Sequence, residues 1–247
     1  LKECMSFDAL VNALLTENAT QGIMAIENTI AGSIIPNYAL IDANNLHICG
    51  EEYLSIHHHL MALNGQKIED IKEVCSHPMA LLQCKEFFKK YPQIKLVEDV
   101  DTAEVAKRIA ENQLKGVAAI APKIAADIFG LHILEDNIQT IKDNATRFVI
   151  VQTKKPNNGI DQVNKASLKF ELDHKRGSLA AILNVLSDCK MNLTKIQSLP
   201  VIESPWKYAF FVDVTFDALT DYEKAIAIIK IMAEEFKILG TYKNGRK

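Results

Sequence analysis

No apolar run in this sequence comes near the ~18 residues that a membrane-crossing helix needs; the longest are stretches such as 209–212 and 225–229. A membrane partner is therefore not expected. Positive charge is not in excess either. Against 31 Asp and Glu stand 28 Lys and Arg, a net charge of −3, with no basic cluster of the kind that follows a phosphate backbone. Nucleic acid is not an expected partner. Cysteine is sparse: Cys4, Cys49, Cys75, Cys84 and Cys189 are odd in number and scattered among apolar neighbours, which argues against a disulfide framework. With no charged-then-apolar leader at its start, the sequence points to a reducing, cytoplasmic setting. Glycine (10) and proline (7) are too few for a collagen-like or low-complexity chain. Neither a glycine-rich phosphate loop nor a Gly-x-Ser-x-Gly nucleophile elbow occurs.

What is there is an ordinary globular composition, 48% hydrophobic and 24% charged over 247 residues, enough for about two folding units. Phe7, Leu10, Val11, Leu14 and Leu15 recur at helical spacing behind Ser6, an N-cap candidate. Gly22-Ile23-Met24-Ala25-Ile26 reads as a buried parallel strand ending in the polar Glu27-Asn28-Thr29. A helix over 32–43 and strands over 47–54, 57–63 and 71–75 follow. Ser76-His77-Pro78 opens a helix with the apolar stripe Leu81, Leu82, Phe87 and Phe88. Beyond the strand Leu96-Val97, Asp101 and Glu104 have capping-box spacing before a helix that Gly116 can close. Strand 117–121, helix 122–129 with Gly130 behind it, and strand 146–151 complete a mainly parallel α/β alternation. The polar stretch 153–165, with Lys154-Lys155-Pro156-Asn157-Asn158-Gly159, reads as a linker. The last 82 residues have a different order, βαββαβ, and are numerous enough to fold alone. There the helix carries Tyr222, Ile226, Ile229, Ala233 and Phe236, and a short strand lies near Ile238.

For chemistry, Cys75, His77 and Cys84 lack a fourth ligand, and His57-His58-His59 in an extended segment alternate between faces, so no metal site is expected. Hydrogen-bonded or solvated histidines are the expectation. What remains is a set of small neutral hydrogen-bonding groups at strand ends and helix starts: Asn28, Thr29, Ser76, Gln83, Asn144 and Thr146, with Arg147 the one cation. Singly, each is an ordinary cap or turn residue. Together they suit an organic anion held by hydroxyls, amides and helix N-termini, which leaves an enzyme and a binding protein equally open.

Three motifs then carry a resemblance. Gly22-Ile23-Met24-Ala25-Ile26-Glu27-Asn28-Thr29-Ile30-Ala31-Gly32-Ser33 is similar to a signature block of the prephenate dehydratases. Ser76-His77-Pro78 with Gln83-Cys84 resembles that family's SHP…QC helix, and Asn144-Ala145-Thr146-Arg147-Phe148 its NxTRF motif. Gly177-Ser178-Leu179-Ala180 and Asn192-Leu193-Thr194-Lys195-Ile196 resemble the ACT regulatory module that follows the catalytic domain in that family. The resemblance implies a two-lobed catalytic domain, similar to periplasmic binding proteins, over residues 1–153 with a cleft between lobes and hinges near 48–56 and 133–141. A linker over 154–165 and a ferredoxin-like ACT domain over 166–247 would follow.

The implied reaction is the loss of water and carbon dioxide from prephenate to give phenylpyruvate, without cofactor. In it Thr146 is the expected hydrogen-bond donor to the departing hydroxyl, with Ser76, Asn28 and Gln83 as further catalytic groups. Thr29, Glu27, Arg147, Asn144 and His77 are expected to bind substrate. Arg147 either meets a carboxylate or braces the site through Glu27, and strand alternation favours bracing. L-Phenylalanine is the implied effector, held by Gly177, Ser178, Leu179, Ala180, Asn192 and Leu193, and pairing of ACT modules implies a homodimer or homotetramer. Two departures stand out. The family's opening strand and glycine-rich loop before the region of Leu1 have no counterpart in these residues, and Gln197-Ser198-Leu199-Pro200 replaces the charged ESRP motif, which implies altered feedback. An arogenate dehydratase, or a non-catalytic amino-acid sensor, fits the same motifs.

Overall fold

The computed structural model describes residues 1–155, 163–173, 175–201, 204 and 206–246; Pro156, Asn157, Asn158 and Gly159 of the expected linker lie outside them. In chain order the first elements are α1 (Phe7–Leu15), β1 (Gly22–Asn28), β2 (Gly32–Ser33), α2 (Ile35–Ala43), β3 (His47–Ser55) and β4 (His59–Ala62). There follow β5 (Glu73–Ser76), α3 (Pro78–Gln83), α4 (Lys85–Phe88), β6 (Lys95–Glu98), α5 (Thr102–Glu111), β7 (Val117–Ala121), α6 (Lys123–Phe129), β8 (His132–Glu135) and β9 (Ala145–Gln152). The last are β10 (Lys165–Glu171), α7 (Ser178–Asp188), β11 (Asn192–Pro200), β12 (Tyr208–Thr215), α8 (Leu219–Met232) and β13 (Glu235–Tyr242).

Local signals are realised where local physics decides. Ser6 accepts the Ala9 N–H, Asp101 accepts the N–H groups of Ala103 and Glu104, and Gly130 ends α6 in the left-handed region. Other expectations need correction. α5 stops at Glu111, five residues before Gly116, which lies instead in the turn into β7 and donates its N–H to Gln66 Oε1. Cys84 breaks the expected long helix into α3 and α4, and Leu82 is 61% exposed rather than part of the apolar stripe. Gly32 and Ser33 pair with β1 before α2 begins, β8 was not anticipated, and Phe236 lies on β13, an eight-residue strand, rather than on the preceding helix.

The described residues form two compact units: residues 1–28, 32–54 and 146–247, and residues 29–31 with 55–145. The chain therefore passes from one to the other at 28/29, 31/32, 54/55 and 145/146. One passage falls inside the expected 48–56, whereas the other expected hinge, 133–141, lies wholly within the second unit.

The second unit holds a five-stranded sheet of order β6-β5-β7-β4-β8. β5 runs parallel to β6 and β7, while β4 is antiparallel to β7 and β8, so only the β6-β5-β7 side of the sheet has the expected parallel character. The first unit contains a sheet of order β2-β1-β9-β3, in which β1 pairs antiparallel with β9 from Gly22 opposite Val151 to Asn28 opposite Thr146. β1 is thus not the parallel strand that its apolar run suggests.

The same unit contains the βαββαβ module, with sheet order β11-β12-β10-β13. One face of this sheet is covered by α7 and α8 through Leu168, Phe170, Ile182, Leu186, Ala225 and Ile229, all buried. Each such Leu, Ile or Phe stabilises the fold by about 1.5–3 kcal/mol. Its other face packs on the first sheet: Ala209, Phe211 and Leu239 join Met24, Ile26, Tyr38, Ile48 and Val149 in one core. Approach is close enough that a Cβ on Gly240 would lie 2.0 Å from the Ile48 carbonyl oxygen. The module thus shares a core with residues outside it.

Candidate active site

The site residues fall into sets within each unit. In the first unit, antiparallel pairing puts Asn28 opposite Thr146. Asn28 Nδ2 donates to Thr146 Oγ1 at 3.1 Å, and the half-buried Thr146 hydroxyl finds no acceptor for its own proton among the described residues. An accepted hydrogen bond polarises the O–H and makes it a better donor.

Arg147 faces the opposite way on β9 and is 4% exposed. Its Nε donates to Glu51 Oε2 at 2.7 Å, Nη1 to Asp213 Oδ2, and Nη2 to the Tyr242 hydroxyl at 3.0 Å. Lys165 Nζ meets both oxygens of Glu51 at 2.8–2.9 Å, and Ser167 Oγ donates to Asp213 Oδ1 at 2.5 Å. Burial opposes the Arg147 charge. Asp213, the ionisable Tyr242 beside it and Glu51 more than offset that, so its pKa is raised. Burial, followed by Asp213, pushes the Tyr242 hydroxyl well up as well. These partners fit the favoured alternative, a bracing Arg147, and leave its guanidinium engaged by Glu51, Asp213 and Tyr242. Its partner is not Glu27: the Glu27 carboxylate takes Lys195 Nζ at 2.5 Å instead.

In the second unit, Thr29 is a backbone clamp: its N–H donates to the Ala145 carbonyl at 2.9 Å, and its Oγ1 accepts the Ala145 N–H at 3.0 Å. Ser76 is fully buried and gives its proton to the Ile120 carbonyl at 2.7 Å, tying β5 to β7, which removes it as a proton donor to substrate. The N-cap of α3 is His77: its Nδ1 accepts the Met79 N–H at 3.2 Å.

Gln83 Oε1 accepts from Asn144 Nδ2 at 2.9 Å and lies 2.8 Å from His58 Nε2. Its Nε2 has no partner among the described residues and is not buried. His58 was missed as a site residue. Its place in the His57-His58-His59 run is the only signal the sequence carried, and His58 and His59 are both buried, against the expected alternation between faces. The His58 ring is 5% exposed, and burial, against the Gln83 hydrogen bond, lowers its pKa. His59 pairs with Asp136 at 2.9 Å.

The expected effector residues begin two elements of the module. Gly177, at φ +87°, is the left-handed N-cap of α7, a conformation glycine adopts at little cost. Ser178 Oγ donates to the Lys175 carbonyl, Leu179 packs on the module core, and Ala180 is exposed. Asn192 and Leu193 open the edge strand β11 opposite Thr215 and Val214.

Compared with known proteins, residues 1–156 match the family described as prephenate dehydratase. Arogenate dehydratase 2 of Petunia hybrida is 38% identical over 97% of this chain and 64% of its own length. The bifunctional chorismate mutase/prephenate dehydratase of Buchnera aphidicola is 30% identical over 97% of the chain and 63% of its own length. The chain thus spans somewhat less than two thirds of the curated relatives it matches. Among solved structures, GqqA, described as a novel type of quorum quenching acylase, matches with TM-score 0.86 at 27% identity, covering 97% of this chain and 88% of its own. Prephenate dehydratase of Staphylococcus aureus matches with TM-score 0.84 at 25% identity, covering 98% and 89%. The fold is shared also by prephenate dehydratase of Arthrobacter aurescens in complex with L-Phe, TM-score 0.86 at 24% identity over 98% of this chain and 80% of that one.

Proposed function

This chain belongs to the prephenate dehydratase family, and from that premise we propose that it converts prephenate to phenylpyruvate, carbon dioxide and water. The observation that carries the reading is the Asn28–Thr146 hydrogen bond. Prephenate is a dianion whose ring gains aromaticity when the C–carboxylate bond breaks and its electron pair moves through the diene to expel the ring hydroxyl. One proton joins the leaving oxygen, giving water, and the products are phenylpyruvate monoanion and carbon dioxide. Thr146, with its lone pair engaged by Asn28, directs its O–H at that oxygen. A threonine hydroxyl is a weak acid, so its contribution is a strong hydrogen bond where negative charge develops. Gln83 supplies a further donor for a carboxylate, while Arg147 acts through position by fixing β9 against β3, β12 and β13.

Arogenate, which carries an amino group in place of the side-chain keto oxygen, is the second substrate to weigh, favoured by the identity to the petunia enzyme. Phenylpyruvate and phenylalanine formation from the two substrates, followed side by side, tests the reading. Product from prephenate at a kcat/KM above that for arogenate supports it, product mainly from arogenate transfers it to that substrate, and product from neither removes it.

We further propose that residues 1–153 form the catalytic domain and 166–247 an ACT module that binds L-phenylalanine through Gly177, Ser178, Leu179, Ala180, Asn192 and Leu193 and pairs two or four copies of the chain. The βαββαβ order and the open left-handed start of α7 support the module. A cytoplasmic home is proposed on the unpaired state of all five cysteines. No helix among the described residues is long and apolar enough to cross a membrane.

A further inference from the structure

Amides are ambiguous ligands: a half-turn about the last side-chain bond exchanges two N–H donors for a carbonyl acceptor at almost the same place. Gln83 can therefore present either face to a bound anion, and something must decide which. Asn144 Nδ2 donates to Gln83 Oε1 at 2.9 Å, and the ring of His58 adds a second group able to hold that oxygen in place. His58 is anchored through its backbone, the N–H donating to Gln139 Oε1 at 3.0 Å and the carbonyl accepting the Ile138 N–H at 2.8 Å. Its Nδ1 is buried without a partner, whereas its Nε2 lies 2.8 Å from Gln83 Oε1. A proton on Nδ1 would be a buried donor with no acceptor; a proton on Nε2 is satisfied by Gln83.

We propose that His58 is a positioning residue that sets the donor face of the site: held as the Nε2–H tautomer, it pins Gln83 Oε1 inward and leaves the Gln83 NH2 facing the substrate. The role depends on the reading that Gln83 meets a carboxylate of prephenate or arogenate. Burial keeps the ring neutral, which is the state the device needs. With the opposite tautomer Gln83 would turn a carbonyl toward an anion, and binding would be repelled where it is now assisted.

Two measurements test this independently. Long-range proton–nitrogen NMR on the wild-type chain reads the His58 tautomer without any turnover. A protonated Nε2 beside a bare Nδ1 at neutral pH is expected; the reverse tautomer or a charged ring overturns the proposal. In steady-state kinetics His58→Leu should lower kcat/KM about ten- to a hundredfold, mainly through KM, the loss expected for one hydrogen bond to a charged group. His58→Gln, whose amide can return a donor to Gln83, should recover most of that loss. In a Gln83→Leu background His58→Leu should add less than about twofold, since its effect passes through Gln83. Additive losses, or no rescue by glutamine at an unchanged melting temperature, overturn the positioning role. Failure of the wild type to process either substrate would remove the reaction but leave the tautomer result standing, so the two readings fail separately.

Discussion

Replacing Glu51 by Gln should be among the most damaging single-atom changes available to this chain. Arg147, Glu51, Lys165 and Asp213 are each no more than 4% exposed, and their two positive and two negative charges cancel. Glu51→Gln keeps the shape and leaves one positive charge in excess at a site from which water is excluded. Breaking a buried pair in this way costs about 3–5 kcal/mol. For a chain of this size that lowers the melting temperature by about 6–20 °C. Glu86, which lies 2.8 Å from Lys89 with both side chains more than half exposed, supplies the control, and Glu86→Gln should change stability by less than about 0.5 kcal/mol. Adding Lys165→Met to Glu51→Gln restores neutrality and should recover at least half of the loss. Urea and thermal unfolding of the four proteins decide the matter. A Glu51→Gln variant as stable as Glu86→Gln, or a double variant no better than the single, would refute the charge-balance reasoning.

Thr146→Val should lower kcat by about a hundredfold or more with an unchanged melting temperature, because the half-buried hydroxyl accepts one bond and anchors no strand, while Thr146→Ser should retain most of the rate. Gly240→Ala should destabilise the chain by more than about 3 kcal/mol in urea unfolding, since its Cβ would fall 2.0 Å from a carbonyl oxygen that belongs to another sheet. Burial, the leading cause for both thiols, pushes Cys75 up to about 11 and Cys84 up to about 12. The folded chain therefore holds these protons after the unfolded chain has released them, and stability should fall as pH rises from about 9 toward those values, by up to about 1.4 kcal/mol per unit for each thiol. Cys84→Ala should flatten that dependence in urea titrations between pH 8 and 11.

How far the fold could be read ahead depends on the range of the forces involved. Ser6, Asp101 and Gly130 act within one helical turn, so their roles are visible in neighbouring letters. The direction of β1 is settled by β9, more than a hundred residues later, and an apolar run says only that the strand is buried. β10 shows the limit most clearly. Lys165, Ser167, Lys169 and Glu171 alternate with Ala166, Leu168 and Phe170, the pattern of a strand with one wet face. That polar face is covered by a second sheet and satisfied by Glu51, Asp213 and Asp42. Among the site residues, Thr146, Asn28, Gln83 and Asn144 were found through motifs and do engage one another in hydrogen-bonded sets. Ser76 and Arg147 were found as well, but their letters do not reveal that their polar atoms are already committed. His58 was hidden by two adjacent histidines.

The shared core between the βαββαβ module and the strands before it bears on how such a chain can be re-engineered. Modules of this order invite exchange, with one βαββαβ segment replaced by another behind a constant remainder of the chain. Here the joint is not a plain connector. Cut away, the module would strip Arg147 of Asp213 and Tyr242, Glu51 of Lys165, and the Ile48 surface of its Phe211 and Leu239 cover. A replacement module would need an acid at the position of Asp213, a base at that of Lys165 and a residue without a side chain at that of Gly240. Chimeras built on linker length alone should therefore be insoluble, while those that carry these three residues across should fold.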